Sequence, residues 1–418
     1  MKKLCRLLLC SLLILLVLNL NTFAFISTNG DNLIQDSVSK LKLKFALYSQ
    51  QSAWLHHFWN NVDMDQVDSD LKEMKRKGFN AVAIQVNVGD IISSINRTNL
   101  TYTENSKNKS KFQTFLQKAK NNGLYTIVWT SYARIPSGWG GEGVSGKQRD
   151  PYTDLLDTLY PAYYGYVTPG LQAAAYNNDT SQSTFRWTVF KEFHRILAQL
   201  SNNDPTVIWD PLDWQHLNIN YWDYGGTETL NDWRAYLKKT NTSANYWLGR
   251  WGETQTGSWE SVLLPIDSHF SDYLNSPEVQ PGDPILKYTG VPVTTNTNKW
   301  NDFRGYTNTG LNKMINDITG TIKTYAPNAV IGQRIDYWRY NDYRTPTWGT
   351  GQVDFIFQES YPLSDSEITN VYNEVTQRTA DIRTRLTNAG RYKPIAIWET
   401  GVIYNNIYGL TKSKAYKE

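Results

Sequence analysis

Near its C-terminus the chain reads Lys393-Pro-Ile-Ala-Ile-Trp-Glu-Thr-Gly401, a short apolar run that delivers a carboxylate, Glu399, between Trp398 and a Thr-Gly turn. Ile395 and Ile397 are β-branched, and Pro394 suits the first position of a strand but not its middle. A carboxylate at the C-terminal tip of a buried parallel strand stands where barrel enzymes keep their chemistry. The adjacent Trp suits a sugar, whose C–H faces pack on aromatic rings while its hydroxyls need polar partners. The competing reading is a surface Glu that opens a loop. Three further carboxylates end apolar runs: Glu359 in Phe355-Ile-Phe-Gln-Glu-Ser-Tyr-Pro362, and Asp210 and Asp213 in Val207-Ile-Trp-Asp-Pro-Leu-Asp-Trp-Gln-His216. Two carboxylates held close push one pKa upward, as an acid catalyst requires. Against catalysis, Glu359 reads equally as a salt-bridged rim residue, and Asp210 or Asp213 as caps on the segment that follows.

The elements that must position these groups alternate. Lys44 to Ser49 reads as a strand, Asp65 to Lys77 as a helix stopped by Gly78, and Phe79 to Asn87 as a second strand. A helix at 111–121 precedes the strand Leu124 to Tyr132; a helix at 184–200 precedes the strand opening at Val207. Helices at 228–240, 309–325 and 365–388 and strands Ala329 to Asp336, Val353 to Tyr361 and Pro394 to Glu399 complete the series, with an irregular Trp-rich stretch at 246–304. Strict alternation predicts an α/β fold with a parallel sheet, and its long insertions after the strands suit a (β/α)8 TIM barrel. Too little chain follows Glu399 for another helix and strand, so the expectation is a barrel truncated after its seventh strand. Val291 to Asn296 is the spare strand candidate.

Residues 1–24 read as an export signal: Lys2, Lys3 and Arg6 open it, Leu7 to Leu18 is almost wholly apolar, and Ala24 offers the cleavage site. The expected protein is secreted, with a polar lead at 25–42, a single domain at 43–418, and no membrane association after cleavage. Both cysteines, Cys5 and Cys10, lie in that signal, so the remainder holds no disulfide and no thiolate metal site. The formal charge of +3 is carried by the same segment, which leaves the remainder neutral. A neutral chain lacks the basic footprint of a nucleic-acid binder. With 16 Trp and 27 Tyr against 19% charged residues, its surplus is aromatic, which favours a neutral polar partner such as a polysaccharide.

Asp70-Leu-Lys-Glu-Met-Lys-Arg-Lys-Gly-Phe-Asn-Ala-Val82 resembles the clan A glycoside hydrolases, whose first helix and second strand often read D-L-x-x-M-K-x-x-G-F-N-x-V. Asn121-Asn-Gly-Leu-Tyr-Thr-Ile-Val128 and Trp398-Glu-Thr-Gly401 fit the same pattern. Within the clan, Asp232-Trp-Arg-Ala-Tyr-Leu-Lys238, Arg250-Trp-Gly252, Trp259, Val293-Thr-Thr-Asn296 and Asp302-Phe-Arg304 look like the family 42 β-galactosidases. The resemblance implies a barrel that cleaves glycosides with retention. It makes Glu399, at the seventh strand's tip, the nucleophile, and a carboxylic acid at the fourth strand's tip the acid/base. Retention places such a pair about 5–5.5 Å apart. The fourth strand departs from the clan's Asn-Glu: aligning on Trp209 puts Asp213 and Trp214 there, whereas aligning on the proline makes Asp210 the acid. Gln85 stands where the clan's usual arginine would follow the second strand, and Tyr361 resembles the tyrosine that hydrogen-bonds the nucleophile.

Aromatic residues at other strand ends are sugar-contact candidates: Trp54 and His57 after the first strand, Trp129 and Arg134 at the third, Trp338 after the fifth, and Trp398. Each reads equally as rim packing or a lid. Asp63, Asp65, Asp68 and Asp70 lack the glycine and terminal Glu of an EF-hand and read as a helix N-terminus enriched in acids. No cofactor or metal is expected. The alternative to a hydrolase is a barrel that has lost its acid/base and only binds carbohydrate; a third option is transglycosylation.

Overall fold

The computed structural model describes residues 26–29, 32–35, 39–50, 58–96, 98–131, 136–137, 181–211, 226–253, 256–265, 294–336, 345–360 and 371–400. Its centre is a seven-stranded parallel sheet curled into a half-barrel, with β1 (Phe45–Leu47), β2 (Ala81–Asn87), β3 (Tyr125–Ser131), β4 (Val207–Asp210), β5 (Val330–Asp336), β6 (Phe355–Ser360) and β7 (Ile395–Thr400) side by side in chain order. Crossover helices between successive strands include α1 (Met64–Arg76), α2 (Ser106–Asn121), α3 (Ser181–Leu200), α4 (Gly226–Thr240), α5 (Ala244–Arg250), α6 (Thr297–Tyr325) and α7 (Val371–Asn388). This is the strand order of a (β/α)8 barrel with seven of its strands among the described residues.

The local code explains the elements. Asp63 caps α1 by accepting from the backbone N–H groups of Asp65 (2.9 Å) and Gln66 (3.3 Å), while Asp68 accepts from Lys72 and Asp70 from Tyr48. Val67 and Leu71 face inward, and Gly78, at φ +83°, takes the left-handed turn that ends the segment. Asn105 caps α2, whose Phe112, Phe115 and Ala119 are buried.

Strand parity divides the apolar residues cleanly. Val82, Ile84, Val128, Trp209, Ile331 and Ile356 join the helices in one cluster, while Ala81, Ala83, Tyr125, Ile127, Ile208, Phe355 and Phe357 form a second on the barrel's inner face. Burial on both faces is why these strands read as continuous apolar runs rather than alternating ones. Gly332 belongs to this inner packing: a Cβ there would meet the Phe357 ring at 2.5 Å and Phe355 at 2.8 Å.

Three readings change. The lead at 25–42 is not merely polar: Ile26–Asn29, Asn32–Gln35 and Ser39–Lys40 form a small antiparallel sheet. Its Ile26 and Leu33 join the inner-face cluster with Ala81, Tyr125, Val330 and Phe355, which open their strands. An antiparallel pair, Ile92–Asn96 with Thr101–Glu104, is inserted after β2. The 246–304 region is structured in part: Trp233 of α4, Trp247 of α5, Trp251 at its C-cap, and Phe303 and Tyr306 of α6 pack with Val262 and Leu264 into a separate core, with Trp233 stacked on Trp251 at 6.0 Å. Of the spare strand candidate, 294–296 leads into α6 as its cap, and 291–293 lie outside the described residues.

Candidate active site

The strand tips carry the polar groups, and each tip satisfies its own differently. At the end of β2, Asp90 accepts from the Asn87 backbone N–H (2.8 Å) and side-chain amide (2.9 Å), so this buried carboxylate is a cap. At the end of β3, Thr130 shares a 2.9 Å hydrogen bond with Nε2 of His194 on α3, and the His194 Nδ1 lies 2.9 Å from the Phe190 carbonyl. Complete burial pushes the His194 pKa down to about 3, so the ring is neutral at ordinary pH and serves as a hydrogen-bonding strut.

One tier of the inner face runs Gln85, Trp129, Asp210 across β2, β3 and β4, as the register pairs each with the next. Gln85 is 3% exposed, and its side-chain carbonyl oxygen has no hydrogen-bond partner among the described residues. Asp210, wholly buried, accepts from Nε of Arg334 on β5 at 3.0 Å and again from Nη2. The Arg334 guanidinium lies 4.5 Å from the centre of the Trp129 ring, so a face of that Trp is already occupied by a cation. A carboxylate that accepts from a guanidinium is favoured in its ionised form.

The next tier lies at the C-terminal tips. Asp336 of β5 is in register with Glu359 of β6, and Glu359 with Glu399 of β7. The second pairing depends on an irregularity. Gln358 pairs with Ile397, but Glu359 then skips Trp398 to meet Glu399, so β7 carries one extra residue. A bulge of this kind resets parity, and without it Glu359 would stand beside Trp398. Neighbouring strands are roughly 4.8 Å apart, which is the backbone separation at which the two glutamate positions stand.

Of the sequence candidates, Glu359 and Glu399 are thus neighbours, Trp398 is the bulge residue between the paired positions, Asp210 is bound to Arg334, and Trp129 stacks on the same Arg334. Asp213, Tyr361, Trp54, His57, Arg134 and Trp338 lie outside the described residues. Two residues escaped the sequence reading, Arg334 and Asp336. The strand-tip rule that singled out Glu399 also applies to Asp336, which ends the apolar run of β5.

No protein-family model matches the chain, and no curated protein does. Solved structures with similar arrangement include a glycoside hydrolase family 5 mannosidase from Rhizomucor miehei, at 12% identity over 91% of this chain and 73% of that one, with a TM-score of 0.49. The β-galactosidase from Rahnella sp. R3 is 15% identical over 91% of this chain and 46% of its own length, with a TM-score of 0.48. That from Bacillus circulans sp. alkalophilus is 11% identical over 85% of this chain and 42% of its own, with a TM-score of 0.46. These are glycoside hydrolases of the clan that the sequence motifs resemble.

Proposed function

We propose that the chain is a secreted retaining glycoside hydrolase acting on the O-glycosidic bonds of a polysaccharide or oligosaccharide. The observation that carries this reading is the in-register placement of Glu359 beside Glu399, through the β7 bulge, at the C-terminal end of the half-barrel's strands. Glu399 is the nucleophile. Glu359 is the acid/base: a second carboxylate beside an ionised one is held protonated by like-charge repulsion, and a general acid must begin protonated. The leaving oxygen takes that proton while Glu399 attacks the anomeric carbon, and Glu359 then draws a proton from the water that releases the sugar. Asp213 is the alternative acid/base, following the motif order at the fourth strand. The first 24 residues direct export, and the neutral charge and surplus of Trp and Tyr suit an uncharged glycan. Proton NMR of the first-formed product tests the mechanism: the original anomer is expected, and the opposite anomer rules out a covalent intermediate on Glu399.

A second reading, a non-catalytic carbohydrate-binding barrel, is favoured by one observation. The tip carboxylate of β4, Asp210, is engaged by Arg334 and is poorly placed to donate a proton. Retention on polysaccharide without release of reducing sugar is its signature.

A further inference from the structure

Gln85 lies on the inner face of β2: Ala83 and Ala81, two and four residues earlier on the same parity, belong to the inner-face cluster. It is 3% exposed, and its Oε1 meets no donor among the described residues. A buried acceptor left without a donor costs stability, so it calls for a reason. The surrounding chain holds this one in place. The Gln85 backbone carbonyl accepts from Nε1 of the wholly buried Trp59 at 2.8 Å, which pins the strand at that residue. The side-chain amide is oriented from the strand tip. Asp90, as a carboxylate, can only accept, so Asn87 turns its amide N–H groups to it at 2.9 Å and its oxygen to Gln85. Gln85 points its own amide nitrogen at that oxygen. The contact is long, 3.4 Å, but the reverse orientation would set two oxygens against each other. The relay from Asp90 through Asn87 thus leaves Oε1 as the end of Gln85 that faces away from Asn87. Trp129 of β3 is the next residue along the tier, with Asp210 on its other flank, and it is only partly buried, so solvent reaches the tier there.

We propose that Gln85 is a glycan-binding residue, whose Oε1 accepts a hydrogen bond from a hydroxyl of an uncharged pyranoside seated beside Trp129. This rests on the glycosidase reading above and names a contact which that reading does not supply. The oxygen requires a ligand that donates. A carboxylate or phosphate ester would bring only acceptors to Oε1, whereas a sugar hydroxyl donates without carrying a charge into the barrel. The part of Trp129 left exposed gives the C–H faces of the sugar an apolar neighbour. A site that offers a buried acceptor to a hydroxyl rejects the analogue lacking that hydroxyl, because the oxygen is then left unpaired.

The test is a binding cycle read by proton NMR titration of the full chain, with methyl β-galactopyranoside, methyl β-mannopyranoside and their monodeoxy analogues as probes. The parent chain should bind one monodeoxy analogue about tenfold more weakly than the glycoside it derives from. Gln85→Met, close in volume but without an acceptor, should bind that glycoside and that analogue equally, while its ratios for the other analogues stay as in the parent. A merely structural role for Gln85 would not single out one hydroxyl. Gln85→Glu keeps an oxygen at this place and should recover part of the discrimination. Should Gln85→Met fail to fold, Gln85→Ala removes the same oxygen and is read in the same way. Deoxy ratios unchanged in a folded variant lacking the oxygen, or no binding of either methyl glycoside by the parent, overturn the proposal. Reducing-sugar release from polysaccharide by the parent, measured alongside, separates the two failures. Release without dependence of binding on Gln85 removes this inference alone; no release removes the reading beneath it.

Discussion

The two sides of the barrel mouth treat carboxylates in opposite ways. On β4 and β5, Asp210 is met by a guanidinium, buried with it and stacked over Trp129; on β6 and β7, the position of Glu359 is in register with another acid, Glu399. Opposite charges settle each other and fix one protonation state, whereas like charges raise the cost of ionising both. The first arrangement suits a scaffold and the second suits proton transfer. The same contrast separates Asp90, satisfied by the Asn87 amide groups that it caps, from the tier at the tips of β5, β6 and β7.

The largest expected effect falls on the like-charged side. Glu399→Gln should lower hydrolysis on the order of 10⁴-fold or more, since a single catalytic group removed from a concerted pair is felt on that scale, with polysaccharide retention intact. Glu359→Gln should cost about 10²–10⁴-fold on natural glycans. It should cost much less on dinitrophenyl glycosides, whose leaving group needs no proton; equal losses on both substrates would remove Glu359 from the acid role.

The opposite-charged side should respond in stability. Asp210→Asn leaves the buried guanidinium without its counter-charge and should destabilise the fold by about 3–5 kcal/mol in urea unfolding. A loss far smaller would mean that the pair is wetter than its burial implies. A pH-dependent effect comes from His194 on α3, bonded to Thr130 of β3. Burial lowers its pKa from the ordinary 6.5 to about 3, so between those values the unfolded chain binds a proton that the folded one does not. Stability should therefore fall as pH drops through that window, by up to about 1.4 kcal/mol per pH unit from this group. His194→Gln should flatten that slope, as measured by urea unfolding between pH 4 and pH 7.

Much of the scaffold was legible because fully buried strands announce themselves: runs such as Ala81–Val86 and Tyr125–Val128 admit few other conformations in a chain that alternates with amphipathic helices. Gly78 and Gly123 marked the turns after α1 and α2, and both have positive φ. The site was legible only by type. That Glu399 ends a strand follows from Ile395 and Ile397, but that it stands beside Glu359 follows from a bulge at Trp398, which regular side-chain alternation does not reveal. The bond between Arg334 and Asp210 joins positions 124 residues apart, beyond any local pattern. Part of the aromatic surplus is core, for Trp233 and Trp251 pack at the centre of the insertion between β4 and β5.

The most direct test of the like-charged side as a catalytic pair is reducing-sugar release from a panel of polysaccharides by the parent chain and by Glu399→Gln. Release by the parent is expected, and no release by a variant that still binds the same polysaccharide. Undiminished release by Glu399→Gln, or a parent chain that binds polysaccharide and releases nothing, would contradict it.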